Sequence, residues 1–126
     1  MERDMELVRK ILLYIEKNYV DVALYDLNIE GYDLKTIAYH CKLCYEEGMI
    51  SDYKDYYAGS ELRDFGVSSL TWKGHDFLEK IRNDNVWSKI KSIIKQKKLS
   101  STIPVVEKIA TKILDLTVQS VINNIN

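Results

Sequence analysis

The chain has 126 residues, 46% of them hydrophobic and 29% charged, with a formal net charge of −1. That length suits one ordinary domain with a real core and leaves little room for a second, and the composition excludes a disordered or fibrous polymer. The charge is uneven, with ten acids against four bases across residues 21–64 and seven lysines against Glu107 alone across residues 88–112, which predicts an acidic side and a basic side.

In chain order, Met5, Val8, Ile11, Leu12 and Ile15 form a stripe at helical spacing, which predicts an amphipathic helix over residues 4–17 with Asp4 as its cap and Asn18 as its stop. Val22, Leu24, Leu27 and Ile29 then alternate with Asp and Asn, so residues 20–30 read as a short strand closed by Gly31. Asp33 precedes a second helical stripe through Leu34, Ile37, Ala38, Cys41 and Cys44 or Tyr45, and Gly48 supplies a left-handed stop. Residues 49–58 are rich in Tyr and Ile, Gly59, Ser60 and Gly66 are turn formers, and residues 67–72 read as extended. Together they predict a β-hairpin with a loose tip.

Thr71 is placed to cap a helix whose inner face is Gly74, Phe77, Leu78 and Ile81. The missing side chain at Gly74 lets that first turn press closely on the hairpin, which explains a residue that costs roughly 1 kcal/mol in a helix. Asn83, Asp84 and Asn85 mark a break. Val86, Trp87, Ile90, Ile93 and Ile94 predict the next helix, with Lys89, Lys91, Lys95 and Lys98 on its outer face. After a polar joint at residues 99–102, Pro104 sits in the first turn of a last helix built on Val106, Ile109, Ala110, Ile113 and Leu114. Val118, Val121 and Ile122 continue that helix through an uncharged stretch, 116–125, which predicts packing against a second copy of the chain.

No run reaches the roughly 18–20 apolar residues of a membrane span, and residues 1–4 lead straight into an amphipathic pattern without a signal core. The expected location is cytoplasmic. Cys41 and Cys44 fit a reducing compartment. A zinc site needs four ligands, and the two histidines, His40 and His75, do not complete one, so the cysteines read as substitutes for core leucines. His75 and Asp76 diverge as neighbours on a helix and lack a nucleophile. The expectation is a protein with no enzymatic activity, no cofactor and no metal.

The run from His40 to Ile50, a helix ending in Gly48 and entering a strand, resembles the recognition helix and first wing strand of winged helix-turn-helix domains. Leu70, Thr71, Gly74, Phe77 and Leu78 resemble the end of the second wing strand and the helix that follows. The strand-like segment 20–30 departs from that pattern, since the usual middle helix is reduced or absent. Residues 3–12, 40–50, 70–78 and 81–87 together resemble the small phage and prophage proteins grouped as domain of unknown function 2513. The resemblance implies a winged-helix-like scaffold and a mobile-element origin, and carries over no functional residue.

The resulting expectation is an α+β, winged-helix-like domain of helix, short strand, helix and hairpin wing over residues 1–85, with additional C-terminal helices over 86–126 packed on the same domain. By the core register, Lys35, Thr36, Tyr39, His40, Lys42 and Leu43 face outward, and Lys35, Tyr39, His40 and Lys42 are the candidate contacts of a recognition helix. Lys91, Lys95 and Lys98 at i, i+4 and i+7 form a second candidate surface for phosphate. Asp33, Glu46 and Glu47 on the helix, and Asp52, Asp55, Glu61 and Asp64 on the wing, would repel phosphates. Tyr53, Tyr56 and Tyr57 suit a protein interface. The expected partner is therefore a host or phage protein. DNA, bound by a transcriptional regulator, is the alternative, and the C-terminal helix is the expected homodimer contact.

Overall fold

In a computed structural model describing residues 1–125, the chain folds as helix, short strand, helix, hairpin and three further helices, an α+β arrangement. Two compact units divide it, Met1–Leu78 and Glu79–Asn126.

In the first unit, α1 (Met5–Asn18) starts at Asp4, whose carboxylate accepts the Glu6 and Leu7 N–H groups left without partners at the helix start. Its inner stripe of Leu7, Val8, Ile11, Leu12 and Ile15 is buried. Full burial of such side chains is worth about 1.5–3 kcal/mol each. The strand expected over 20–30 shrinks to two residues, β1 (Leu24–Tyr25), because Val20 and Val22 are exposed and only Leu27 and Ile29 reach the core. Asp26, at φ 48°, ends the strand while imitating its next residue. Its N–H donates to Phe65 O and its Oδ1 accepts the Phe65 N–H, so the ladder is completed by a side chain.

Helix α2 (Leu34–Glu46) is capped by Asp33, which accepts the Thr36 N–H at 2.8 Å, and Gly48 turns the chain out at φ 83°. The hairpin follows as β2 (Tyr53–Ala58) and β3 (Glu61–Val67), with the tip confined to Gly59 and Ser60. The sheet order is β1-β3-β2, antiparallel throughout. Gly66, expected in a turn, instead lies in the central strand between Tyr25 and Lys54. A Cβ there would stand 2.9 Å from the Tyr25 ring, so glycine is the residue that lets the ring lie over the sheet. The pairing skips Arg63 between Tyr56↔Asp64 and Tyr57↔Leu62, a bulge near the tip.

The hairpin base is held by the Ile50↔Leu70 bridge and by the Ser51 N–H to Ser69 O and Ser68 N–H to Asp52 O bonds. Thr71 then caps α3 (Trp72–Ile81), its hydroxyl accepting the Gly74 N–H at 3.1 Å and donating to Gly48 O. A Cβ on Gly74 would overlap the Met49 carbonyl oxygen, which accepts the Thr71 N–H at 3.0 Å. The close approach expected of that glycine is made to the backbone at the foot of the hairpin.

In the second unit, α4 (Asp84–Lys97) begins inside the expected break, because the Asn83 carboxamide oxygen accepts the Asn85 and Val86 N–H groups. A polar run that looks like a linker is thus a cap followed by the first turn. Lys98 closes α4 in the left-handed region, φ 54°. Helix α5 (Ile103–Asn123) starts at Thr102 with Pro104 in its first turn, as expected. Trp87 and Ile90 of α4 and Val106 and Ala110 of α5 are buried, and Lys80 of α3 pairs with Glu107 of α5 at 3.7 Å.

Candidate functional site

The expected recognition helix keeps three of its four contacts at the surface. Lys35, Tyr39 and Lys42 are exposed on α2, whereas His40 is completely buried. The outward placement of His40 was therefore wrong, and the reason lies 36 residues away. Its Nε2 accepts the Asp4 N–H at 2.8 Å, and Nδ1 lies 2.8 Å from Thr36 O, which fixes the neutral tautomer protonated at Nδ1. Asp4 Oδ2 also accepts the Tyr32 hydroxyl at 3.0 Å. Burial first, then that bond, raises the Tyr32 pKa. Asp4, Tyr32 and His40 thus tie the start of α1 to α2, and His40 presents nothing to a ligand.

Around the remaining contacts the surface is acidic and aromatic. A groove of about 460 Å³ runs between the start of α2 and the hairpin tip, with Asp33, Leu34 and Lys35 facing Ser60, Glu61 and Leu62. Hydrogen bonding from Thr36 holds the Asp33 carboxyl below its usual range, and Glu61 stands on the opposite wall of the groove. Lys73 is tied to the oxygens of Glu47, backbone and carboxylate, at 3.0 Å each, and Arg63 pairs with Glu61. The first unit holds nine bases and fifteen acids, a net charge of −6.

Trp72 is 85% exposed, and Tyr25 and Tyr56 are 69% and 62% exposed. Tyr39, Tyr45 and Tyr57 are also open to solvent. The signal for Trp72 was present, since it lies off the Gly74, Phe77, Leu78 and Ile81 face. Tyr25 carried no such signal, because its exposure follows from its pairing with Gly66. Tyr53 behaves differently. It packs beside Phe65 with ring centroids 6.3 Å apart and donates to Asp55 at 2.9 Å, and burial followed by that bond raises its pKa.

In the second unit Lys91 and Lys95 are exposed on α4, and Lys98 stands at its left-handed end rather than on the helix. This unit holds nine bases and four acids, net +5. Cys41 and Cys44 are buried as free thiols, and burial raises both, Cys44 to about 12, so each behaves as a core side chain. Among the described residues no group of three or more His, Cys, Asp or Glu could hold a metal ion, and no helix is long and apolar enough to cross a membrane.

The family profile described as "Hypothetical protein (DUF2513)" matches residues 2–100. An "Uncharacterized protein" of Haemophilus influenzae (strain ATCC 51907 / DSM 11121 / KW20 / Rd) is 36% identical over 117 residues, covering 90% of this chain and 96% of that relative. No solved structure matches the chain.

Proposed function

The chain belongs to the family of domain of unknown function 2513, and from that premise we propose a non-enzymatic accessory protein of a phage or prophage that recognises another protein. Its first unit serves as a winged-helix-like scaffold, with α2 in the recognition position and β2-β3 as the wing. The observation that carries the reading is the surface of that unit, where Trp72, Tyr25 and Tyr56 are open to solvent on an acidic background. Exposed tryptophan and tyrosine supply large contact area at low entropic cost and dominate interface energetics. A net charge of −6 repels phosphates and attracts a basic protein surface.

Loss of His40 from the surface weakens the DNA reading, leaving Lys35, Tyr39 and Lys42 beside Asp33, Glu46 and Glu47. The absence of enzymatic activity is supported by the commitments of the reactive groups. Both ring nitrogens of His40 are bonded to backbone, and both thiols are buried and protonated. One observation favours a second reading, a DNA-binding regulator: the second unit is net +5, with Lys91 and Lys95 exposed on α4. Capture from host lysate, run beside a mobility shift on duplex DNA at several salt concentrations, separates the two. The proposal expects a captured protein that is lost with Trp72→Ser while the variant stays folded. A DNA complex that weakens steeply with salt, with no protein captured, would reverse the order.

A further inference from the structure

Helix α5 outlasts its partner. At 21 residues against 14, and 1.5 Å per residue, it runs about 10 Å longer than α4. Every residue from Asp115 to Ile125 is exposed, including Leu116, Val118, Val121, Ile122 and Ile125. This end is a poor helix by itself. Thr117, Val118, Val121 and Ile122 are β-branched, and the Thr117 hydroxyl donates to Ile113 O rather than to solvent. The Gln119 carboxamide donates to Asn123 Oδ1 at 3.2 Å, a bond between two exposed side chains that adds little. Segments of this length and composition hold a helix only when an apolar face is covered.

The face to be covered is one seam. Leu114, Val118 and Val121 follow at four and three residues, Ile122 lies beside them, and Ile125 takes the next position of the series just beyond the helix end. Spacing of four and three is that of a two-stranded coiled-coil seam. Residues 116–125 carry no charge, whereas α4 bears lysines at 89, 91, 95 and 97. The seam residues themselves therefore set no like charges against each other when two copies meet, and Lys89 of α4 borders the groove beside Val121. It exposes roughly 400 Å² of apolar side chain per copy, and with flanking polar groups the pair reaches the roughly 1,000 Å² that a specific interface requires.

We infer that α5 is a self-association helix, pairing with α5 of a second copy through Leu114, Val118, Val121, Ile122 and Ile125. The interface is isologous and small, so the dissociation constant is on the order of micromolar. The inference does not rest on the recognition reading, since it concerns a different unit of the chain. Sedimentation equilibrium of the full chain from about 1 to 200 μM is the test, with far-UV circular dichroism at each concentration. The expected result is a shift from one to two chain masses across that range, with helical signal rising in parallel as the free end orders.

Val118→Lys and Val121→Lys are each expected to raise the dissociation constant about 100-fold or more, by placing a cation from each copy in the seam. Gln119→Lys, off the seam, should leave it unchanged. Near-UV signal from Trp87 reports whether the variants remain folded. A wild-type monomer throughout, or a dimer indifferent to both seam lysines, would overturn the inference. So would a monomeric chain that co-sediments with phosphatidylglycerol vesicles, because the occupant would then be a lipid surface.

Discussion

Replacing Gly74 by alanine sets two effects against each other in the first turn of α3. Alanine is favoured over glycine inside a helix by about 1 kcal/mol. The added methyl group, however, would overlap the Met49 carbonyl oxygen and stand 3.0 Å from its carbonyl carbon and 3.2 Å from its Cα. All three are backbone atoms, so no rotamer change relieves the contact. Overpacking of this kind costs about 1–3 kcal/mol. Moving α3 away also weakens the Thr71 N–H to Met49 O bond, worth about 1 kcal/mol. The net expectation is a loss of about 1–3 kcal/mol, seen as a fall of about 1 M or more in the urea midpoint followed by far-UV circular dichroism. Gly66→Ala is the internal control. Its Cβ would crowd the ring of Tyr25, a side chain mostly in solvent and able to turn away, and would stand at an ordinary 3.6 Å from Leu24 O, so the change stays within about 1 kcal/mol. A Gly74→Ala chain as stable as the wild type would refute the close-approach account of α3.

His40→Leu keeps the volume but leaves the Asp4 N–H without its acceptor, and thermal unfolding should show a loss of about 1–3 kcal/mol. The thiols of Cys41 and Cys44 should resist Ellman's reagent at pH 8 until urea unfolds the chain; fast labelling of the native protein would contradict their burial. Because the folded thiols titrate above the ordinary value of 9.0, their contribution is fully present below that pH. It is lost as pH rises toward about 12, so the urea midpoint of Cys44→Ala should fall less between pH 8 and 11 than that of the wild type. Asp33 has the opposite sign. Its pKa is lowered from 3.8, so its capping of α2 is complete above that value and fades as pH drops through the folded one. Between pH 5 and 2 the wild-type midpoint should therefore fall more steeply than that of Asp33→Asn, and parallel curves would contradict the assignment.

Local chemistry was the legible part of the fold. Asp4, Asp33, Thr71 and Thr102 cap helices because a short polar side chain ahead of an apolar stripe can serve the first free N–H groups. Gly74 could be read because a glycine on the buried face of a helix needs a reason. Other features depended on non-local contacts. His40 lies about 60° around α2 from Ile37, on the buried side, yet what satisfies it is an N–H at Asp4 that no periodicity reveals. Gly66 looks like a turn because glycine often is one, and only the opposing Tyr25 shows otherwise. Of the candidate site, exposed Lys35, Tyr39 and Lys42 followed from helical register alone, whereas the exposure of Tyr25 depends on a strand pairing 41 residues apart. The short length of β1 was similarly hidden, since Val20 and Val22 fit a strand in every respect except having a partner.

The fastening of the hairpin has a kinetic consequence. Its base is held on both sides, by the Ile50↔Leu70 bridge, the paired serines at 51 and 69, and the knot of Thr71 with Gly48 and Met49. Its far end, past the skipped Arg63, is mostly solvent-facing around Gly59 and Ser60, with Leu62 half-buried. Opening should therefore spread from the tip downward, with amide exchange fast near Ser60 and approaching the global unfolding limit near Val67. A partner gripping the tip has to freeze those fluctuations and gives up affinity to do so, whereas one that seats at the foot, beside Trp72, meets a surface already held still.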